Sequence, residues 1–534
     1  MTKSRAAKLL ALILLGALGL KAWLIASKAV PFNGDEAIVA LMARHILDGA
    51  RPIFFYGQHY MGSLDAYLLA GGFFLLGESV TTIRIVQTLL FIGTLLASYL
   101  AARRLTRSRR VALLTALLLA FPPVLLTLYT SATLGGYGEA LLVGSILIWL
   151  GHRLAREDKY GWGLWLAWGL LAGIGFWCMG LVMVYAVPMA LWMAWELRRP
   201  AQSQTGSPLA FYASRLSVVA CGFLVGSLPW WLGGGARGIA RLLTTQAQES
   251  TTAMAFAYDV VERAFHFFVL GLPALFGLRF PWSASGPPLW LAVPALALYL
   301  GALGFAARQW RDDRRSSLAP LWGICFILLL GFVLTPYGND PSGRYFLPLF
   351  LPMAIFTAQA LAELHQHVRH WTWALLALVL AFNLVGTVQA ALTNPPGVTT
   401  QFAEDSRVDH RFYDELIQFL RAKGETRGYA TYWIAYPLAF LSDEEIILVP
   451  RLPYKADLRY TSRDDRYEPY GEIVEASSRV AYVTSDQPAL NERLRQAFCD
   501  LGVDFREREI SSYHVFYDLS RKVRPAELSI GNGQ

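Results

Sequence analysis

Residues 9–37 read LLALILLGALGLKAWLIASKAVPFNGDEA, an apolar run from Leu9 to Ala26 that leads into Pro31-Phe32-Asn33-Gly34-Asp35-Glu36-Ala37. The run is long enough to cross a bilayer as a helix, for which about 20 residues suffice. Two adjacent carboxylates follow it directly. Ionisable groups this close to lipid are functional candidates by default. The basic start Met1-Thr2-Lys3-Ser4-Arg5 would suit a signal peptide. However, the apolar run exceeds the usual signal core, and no clear small-x-small cleavage site precedes the carboxylates. It reads as a retained first helix.

The pattern recurs along the chain. Apolar runs near 8–27, 81–102, 110–129, 137–154, 161–178, 180–197, 211–232, 288–307, 318–336, 345–363 and 371–391 predict about eleven spans. The stretch 161–197 could be one irregular unit, and 265–280 a further span or an interfacial segment. Of the 534 residues, 55% are hydrophobic and 16% charged. Mean hydropathy is +0.38. These values lie outside the soluble range, where about a quarter of residues are charged. Seventeen Trp and 24 Tyr suit a protein with many membrane–water interfaces.

The net charge of +8 does not point to nucleic acid, because Lys and Arg fall in short clusters between apolar runs. With the N-terminus inside, the inner segments hold Lys3, Arg5 and Lys8, then Arg103, Arg104, Arg107, Arg109 and Arg110. Next come Arg153, Arg156 and Lys159, then Arg198, Arg199 and Arg215, then Arg308, Arg311, Arg314 and Arg315, and last Arg369. The loops near 130–137 and 178–180 contain neither residue type. Asp35, Glu36 and the C-terminus are therefore expected outside the cytoplasm, in a multi-pass protein of the inner (plasma) membrane. The four cysteines form no disulfide framework: Cys178, Cys221 and Cys325 lie in or beside apolar spans and Cys499 stands alone.

Between the first two spans, residues 35–48 place Ile38, Leu41, Met42 and His45-Ile46 at helical spacing, with Gly49 as a natural stop. A second apolar stretch, 62–77, follows Gly57-Gln58-His59-Tyr60-Met61-Gly62. Both are expected to be helices lying along the interface. Beyond Thr393-Asn394-Pro395-Pro396-Gly397 the composition turns soluble. Amphipathic helices are expected at 411–423 and 489–501, and β-rich runs at 428–433, 445–449, 479–484 and 513–519. The expected architecture is an all-α membrane domain over 1–393 and a small soluble α/β domain over 394–534. The aromatic stretch Tyr429, Tyr432, Trp433, Tyr436 and Phe440 reads as hydrophobic core in preference to a sugar-stacking platform. No nucleotide fingerprint, zinc spacing or nucleophile elbow is present, and glycine-rich matches inside spans signify helix packing.

A first span, an outer loop whose acidic pair opens one interfacial helix, and a second interfacial helix together resemble the GT-C glycosyltransferases. Within them the chain looks most like the protein O-mannosyltransferase and aminoarabinose-transferase-like branch of bacterial membrane enzymes. The likeness rests on Asn33-Gly34-Asp35-Glu36-Ala37, on Gly57-Gln58-His59-Tyr60-Met61-Gly62-Ser63-Leu64-Asp65-Ala66-Tyr67, and on Arg344-Tyr345-Phe346-Leu347-Pro348. The last is similar to an Arg-Tyr-Leu-Leu-Pro pattern where a late outer loop enters a span. One departure matters. The aminoarabinose transferases carry an Asp-Lys-Pro-Pro-Leu-like motif whose lysine is thought to meet the donor phosphate, whereas Tyr60-Met61-Gly62-Ser63-Leu64-Asp65 has no lysine. The donor sugar is not transferable from that branch.

Chemistry leads to a similar place. Nucleotide sugars are made in the cytoplasm, so a transferase acting outside needs a donor that crosses with its lipid carrier, such as a polyprenyl phosphate sugar. Phosphate is a good leaving group. The protein then has to supply a base for the acceptor hydroxyl and cations for the departing charge. A single carboxylate base fits displacement with inversion. Asp35 is the candidate base, set against a mere cap on the helix. Glu36 is a candidate for orienting the acceptor or a metal. Glu139, in Gly135-Gly136-Tyr137-Gly138-Glu139, is a second carboxylate candidate, and His59 and Asp65 sit beside the presumed cleft. Arg344 is the favoured phosphate contact, because its planar donors match phosphate oxygens. Arg237, Arg241, Arg263 and Arg279 could attract an anionic donor, though lipid headgroup contacts explain them as well.

The expected partners are a polyprenyl phosphate sugar, a lipid, glycan or protein acceptor, and membrane lipids. No cofactor is implied, and a divalent metal is left open. A transporter of lipid-linked sugars would also carry many spans, but it would more naturally show internal repeats and broken helices. A non-catalytic envelope assembly protein leaves the acidic pair unexplained, and an oligosaccharide polymerase or ligase is a close relative of the transferase reading.

Overall fold

The computed structural model describes residues 2–157, 161–197, 208–240, 253–282, 286–312, 317–393, 397–401, 406–455 and 458–528. Arg241, Lys159, Arg198, Arg199, Arg314, Arg315 and the 394–396 boundary lie outside the described residues. The chain forms two compact units interleaved in sequence. One comprises Met1–Ser27, His59–Asp65 and Arg84–Ala390; the other comprises Lys28–Gln58, Ala66–Ile83 and Ala391–Gln534. A single cut near residue 393 thus does not describe the grouping, because 28–58 and 66–83 join the C-terminal residues.

Among the described residues, seven helices are long and apolar enough to cross a membrane: Lys3–Ala26, Val80–Thr106, Tyr137–Arg156, Gly180–Leu197, Leu289–Asp312, Arg344–His367 and Arg369–Leu392. The other expected spans take shorter forms. The run 110–129 breaks into Arg109–Ala120 and Val124–Tyr129 around Pro122-Pro123, because proline has no N–H to give and its ring clashes with the preceding turn. The run 211–232 breaks into Pro208–Gly226 and Leu228–Leu232, with Pro229 at the restart. Trp162–Cys178 and Ala319–Leu334 are continuous but short. The doubtful segment 265–280 contains a π-helical turn, His266–Gly271, running into Leu272–Leu275.

Within the first unit, Trp162–Cys178 lies against Pro208–Gly226 at backbone contact. A Cβ on Gly169 would sit 2.2 Å from the Val219 carbonyl oxygen, and one on Gly173 2.2 Å from that of Phe223. From the facing helix, Gly222 and Gly226 would meet the carbonyl oxygens of Leu166 and Leu170 at 2.5 and 2.3 Å. Small residues four apart on both helices permit this approach, as in membrane helix pairs generally.

The second unit holds a five-stranded sheet in the spatial order Ile447–Val449, Arg427–Ala430, Ala481–Ser485, Tyr513–Tyr517 and Arg506–Ile510. The first three strands are parallel, with Tyr429 paired to Tyr482, and the last two form an antiparallel hairpin. The strand Arg506–Ile510 and the helices Tyr432–Leu441 and Glu468–Ala476 were not foreseen. Helix Tyr432–Leu441 is apolar on every side and buried throughout, so it carries no amphipathic period to read. Helix Gly34–Leu47 packs on it, with Phe32 against Phe440 at 5.3 Å between ring centroids and Gly34 against Tyr432. It is consequently buried all round from Glu36 to Arg44, where one-sided burial was expected. Arg44 secures the pair from within the unit, reaching Glu78 (2.6 Å), Asp443 (3.1 Å) and the Phe440 carbonyl (3.2 Å).

Gly226→Leu is expected to force the two glycine-faced helices apart. The thermal midpoint of the detergent-solubilised protein should fall by an amount corresponding to about 2–3 kcal/mol, as overpacking of a tight interface does. An unchanged midpoint would show that this helix pair contributes nothing to stability.

Candidate functional site

In the second unit, the acidic pair opens helix Gly34–Leu47, but neither acid caps it. Asn33 takes that position in extended backbone conformation, and its side-chain oxygen accepts from the Asp35 and Glu36 N–H groups at 3.1 and 3.3 Å. Its amide nitrogen donates to Thr400 Oγ1 at 2.7 Å. An Asn at this position satisfies the first free N–H groups of a helix. Both carboxylates are thereby released from the capping role, and they diverge. Glu36 has no exposed surface. Asp35 is half-buried and accepts from the Tyr432 hydroxyl at 2.6 Å, with the Thr400 hydroxyl at 3.5 Å.

The surroundings of Asp35 come from the C-terminal part of the chain. The Arg466 guanidinium lies 5.8 Å from the centre of the Tyr432 ring. Gln58, with its amide oxygen turned toward that guanidinium, accepts from it at 2.6 and 3.1 Å. The Tyr436 hydroxyl accepts from the Arg466 N–H at 2.5 Å and donates to the Asp464 carbonyl at 3.2 Å, fixing residues 464–466. Burial pushes the Tyr432 hydroxyl well above the ordinary phenol range, and the neighbouring Asp35 charge adds to the shift. It therefore remains a donor at neutral pH. Burial likewise pushes the Asp464 carboxyl up to about 6, with Arg466 and Lys455 opposing and Asp35 adding to the rise.

In the first unit, the other two carboxylates meet. Asp65 accepts from the Thr133 hydroxyl (2.7 Å), the Gly135 N–H (3.0 Å) and the Gln87 amide (3.2 Å). Glu139 lies beside it, and both are almost fully buried. Gly135 and Gly136 have φ of +80° and +104°, the left-handed region that glycine enters without a Cβ penalty. The Gly135 N–H is thereby turned toward Asp65 as helix Tyr137–Arg156 begins. The same loop is held from the other side by two cations that the sequence reading passed over. Lys21 Nζ donates to the Thr130 carbonyl and hydroxyl (both 2.8 Å), the Ser131 hydroxyl (2.6 Å) and the Thr127 carbonyl (3.3 Å). Arg84 donates to the Ser131 carbonyl at 3.3 Å. A lysine inside a 24-residue apolar helix was the available signal, because such a residue faces a polar partner or a functional site.

Arg344 follows Gly343 at a 3-10 turn. It pairs with Asp340 at 2.5 Å, lies 5.1 Å from the centre of its neighbour's ring, Tyr345, and is within electrostatic reach of Tyr137. Through Tyr137 it is drawn to the start of the helix that carries Glu139. His59 is exposed, and its backbone meets Gly238. Arg263 is spent on Asn339 (2.8 Å) and Asp259 (3.3 Å), and Arg279 on the Leu270 and Pro341 carbonyls, whereas Arg237 is exposed. Among the described residues, no group of three or more His, Cys, Asp or Glu is placed to hold a metal ion.

A family model described as dolichyl-phosphate-mannose-protein mannosyltransferase matches residues 63–224. The chain is 27% identical over 348 residues to the undecaprenyl phosphate-alpha-4-amino-4-deoxy-L-arabinose arabinosyl transferase of Pseudomonas aeruginosa strain LESB58, covering 62% of this chain and 55% of that protein. A Pseudomonas fluorescens protein of the same description is 26% identical over 310 residues, covering 56% and 47%. The chain thus spans about half the length of the curated relatives it matches. In three dimensions it is similar to ArnT from Cupriavidus metallidurans bound to undecaprenyl phosphate, with a TM-score of 0.57 at 13% identity over 97% of this chain and 99% of that one. It is also similar to the oligosaccharyltransferase of Archaeoglobus fulgidus, with a TM-score of 0.54 at 12% identity over 93% and 71%. The overall fold of the chain is thus similar to that of these two solved structures.

Two outcomes test these local networks. Lys21→Met leaves the Thr127 and Thr130 carbonyls and the Ser131 hydroxyl without their shared donor. It should cost about 1–3 kcal/mol of stability, the usual penalty for stranding buried acceptors, read as a lower thermal midpoint in detergent. Asp464 carries a folded-state value of about 6 against an ordinary 3.8. Its contribution is therefore most favourable below pH 4 and is lost as pH rises through 6. Asp464→Asn should raise the thermal midpoint at pH 7.5 and leave it nearly unchanged at pH 4; equal shifts at both values would contradict the buried-carboxyl account.

Proposed function

We propose that this multi-pass membrane protein is a glycosyltransferase that moves a sugar from a polyprenyl phosphate donor to a lipid, glycan or protein acceptor outside the cytoplasm. It resides in the inner (plasma) membrane with its N-terminus inside and Asp35 and the C-terminal sheet outside. The shorter apolar helices complete about eleven crossings with the seven long ones. The observation that carries the reading is the Asp35 carboxylate, released from capping by Asn33, half-exposed, and held by Tyr432 and Thr400. A base has to keep surface toward its substrate, and Asp35 does so where Glu36 does not. The fold supports the reading, as do the lipid phosphates named for its structural relatives: undecaprenyl phosphate with ArnT, and dolichol-phosphate with an Archaeoglobus fulgidus oligosaccharyltransferase.

In this mechanism, Asp35 takes the proton from the acceptor hydroxyl as its oxygen attacks the anomeric carbon from the face opposite the phosphate. The new glycosidic bond forms while the bond from the anomeric carbon to the phosphate oxygen breaks, so the configuration inverts. The polyprenyl phosphate leaves with its electron pair, and the planar donors of Arg344 meet its charge. His59, exposed nearby in sequence, is assigned to the donor sugar. Glu36 and Glu139 are assigned supporting roles, as is Asp65, which holds the loop that precedes helix Tyr137–Arg156.

The test is sugar transfer in membranes containing wild type, Asp35→Asn or Arg344→Ala, given a panel of radiolabelled polyprenyl phosphate sugars. Asp35→Asn should lower turnover by about 10²–10⁴-fold, the usual worth of a positioned general base, with the protein still folded and inserted. Arg344→Ala should chiefly raise the donor KM, and Arg344→Lys should recover part of the loss. Wild-type turnover in Asp35→Asn would remove Asp35 as the base, and no transfer by wild type from any donor would defeat the enzyme reading.

A further inference from the structure

The hydrogen bond from Tyr432 to Asp35 joins residues 397 positions apart in sequence, and several features of the second unit serve that one contact. Gly34, immediately before Asp35, faces Tyr432: a Cβ there would sit 3.0 Å from the Tyr432 carbonyl oxygen and 3.1 Å from its ring. A Cβ there would require Tyr432 to give way by a few tenths of an ångström. The ring is boxed edge-on by Trp433 and Tyr436, at 5.0 and 5.6 Å between centroids. Arg466 lies against its face, held by Gln58 and by the Tyr436 hydroxyl. Only 4% of Tyr432 is exposed. Its ring already fills an apolar site; the hydroxyl makes one contact at its edge, with the carboxylate.

We propose that Tyr432 is a positioning residue for the Asp35 carboxylate, so that the 432–466 segment of the C-terminal region is a working part of the transfer site and not only a platform for the acceptor. The proposal rests on the reading of Asp35 as base. A carboxylate that abstracts a proton has to present one oxygen to the acceptor hydroxyl in a fixed direction. Tyr432 occupies Oδ1 at 2.6 Å, while Thr400 stands 3.5 Å from Oδ2. The short bond fixes the rotation of the carboxylate and leaves Oδ2, the less tightly held oxygen, for the substrate. A misplacement of about 1 Å at such a group is worth about 10²-fold in rate. Thr400, Tyr454 and Asp464 are further polar groups near Asp35, and Arg466 lies over the Tyr432 ring.

Tyr432→Phe removes one oxygen and keeps the ring in its box. With the polyprenyl phosphate sugar that wild type uses, kcat should fall by about 10–100-fold with donor KM unchanged. The thermal midpoint should stay within a few degrees of wild type. A purely structural tyrosine would move the midpoint and leave kcat of the folded protein alone. Gly34→Ala is the second variant, because it shifts Tyr432 slightly without altering it; a smaller loss of kcat at constant KM is expected. Wild-type kcat in folded Tyr432→Phe, with Asp35→Asn inactive, would overturn the positioning role and leave the base standing. Full activity in Asp35→Asn would overturn the base, and this inference with it.

Discussion

A polar group taken out of water has to be repaid by a partner inside the protein, and that constraint organises both units of this chain. In the first unit it acts on Lys21, buried within an apolar helix, whose ammonium gathers carbonyl and hydroxyl oxygens of residues 127–131. Arg84 and Asp65 grip the same short stretch of backbone at further points. A stretch rich in threonine, serine and glycine is thereby held by three buried polar side chains, Lys21, Arg84 and Asp65. The helix bearing Glu139 starts from that loop, so its position follows from the same set of bonds.

In the second unit the constraint works through a single asparagine. The free N–H groups at the start of helix Gly34–Leu47 need an acceptor, and an acidic side chain would serve. Asn33 serves instead, and the identity of one capping residue decides whether Asp35 is structural or available. Its carboxylate is then claimed by a tyrosine from the aromatic helix Tyr432–Leu441. The side chains of that helix are core, the reading the sequence favoured, and the hydroxyl of its first residue reaches a candidate base.

Much of the membrane architecture was legible because hydrophobic run length is a one-dimensional quantity. The helices Lys3–Ala26, Val80–Thr106, Tyr137–Arg156 and Arg369–Leu392 lie within a few residues of their expected bounds. Legibility failed where proline or glycine interrupts an apolar run, as at Pro122-Pro123 and around Ser227, since mean hydropathy does not register a missing N–H. It also failed for helix Tyr432–Leu441, which is buried on all sides and has no period to detect. The candidate acids and Arg344 were visible as charged residues at the ends of apolar runs. Lys21 was equally visible, a charge within such a run, and was overlooked.

By itself, the sequence determined that this chain carries many apolar runs of membrane-crossing length, that an acidic pair follows the first of them, and that the composition changes beyond residue 393. These are properties of composition and order, and they survive without any knowledge of which residues meet. Only the tertiary structure decided that residues 28–58 and 66–83 group with the C-terminal sheet, that Asp65 stands beside Glu139, and that Asp35 finds its partner 397 residues away. Such pairings are set by which buried groups need one another's hydrogen bonds. That need is felt only once the backbone has folded, and no spacing along the chain encodes it.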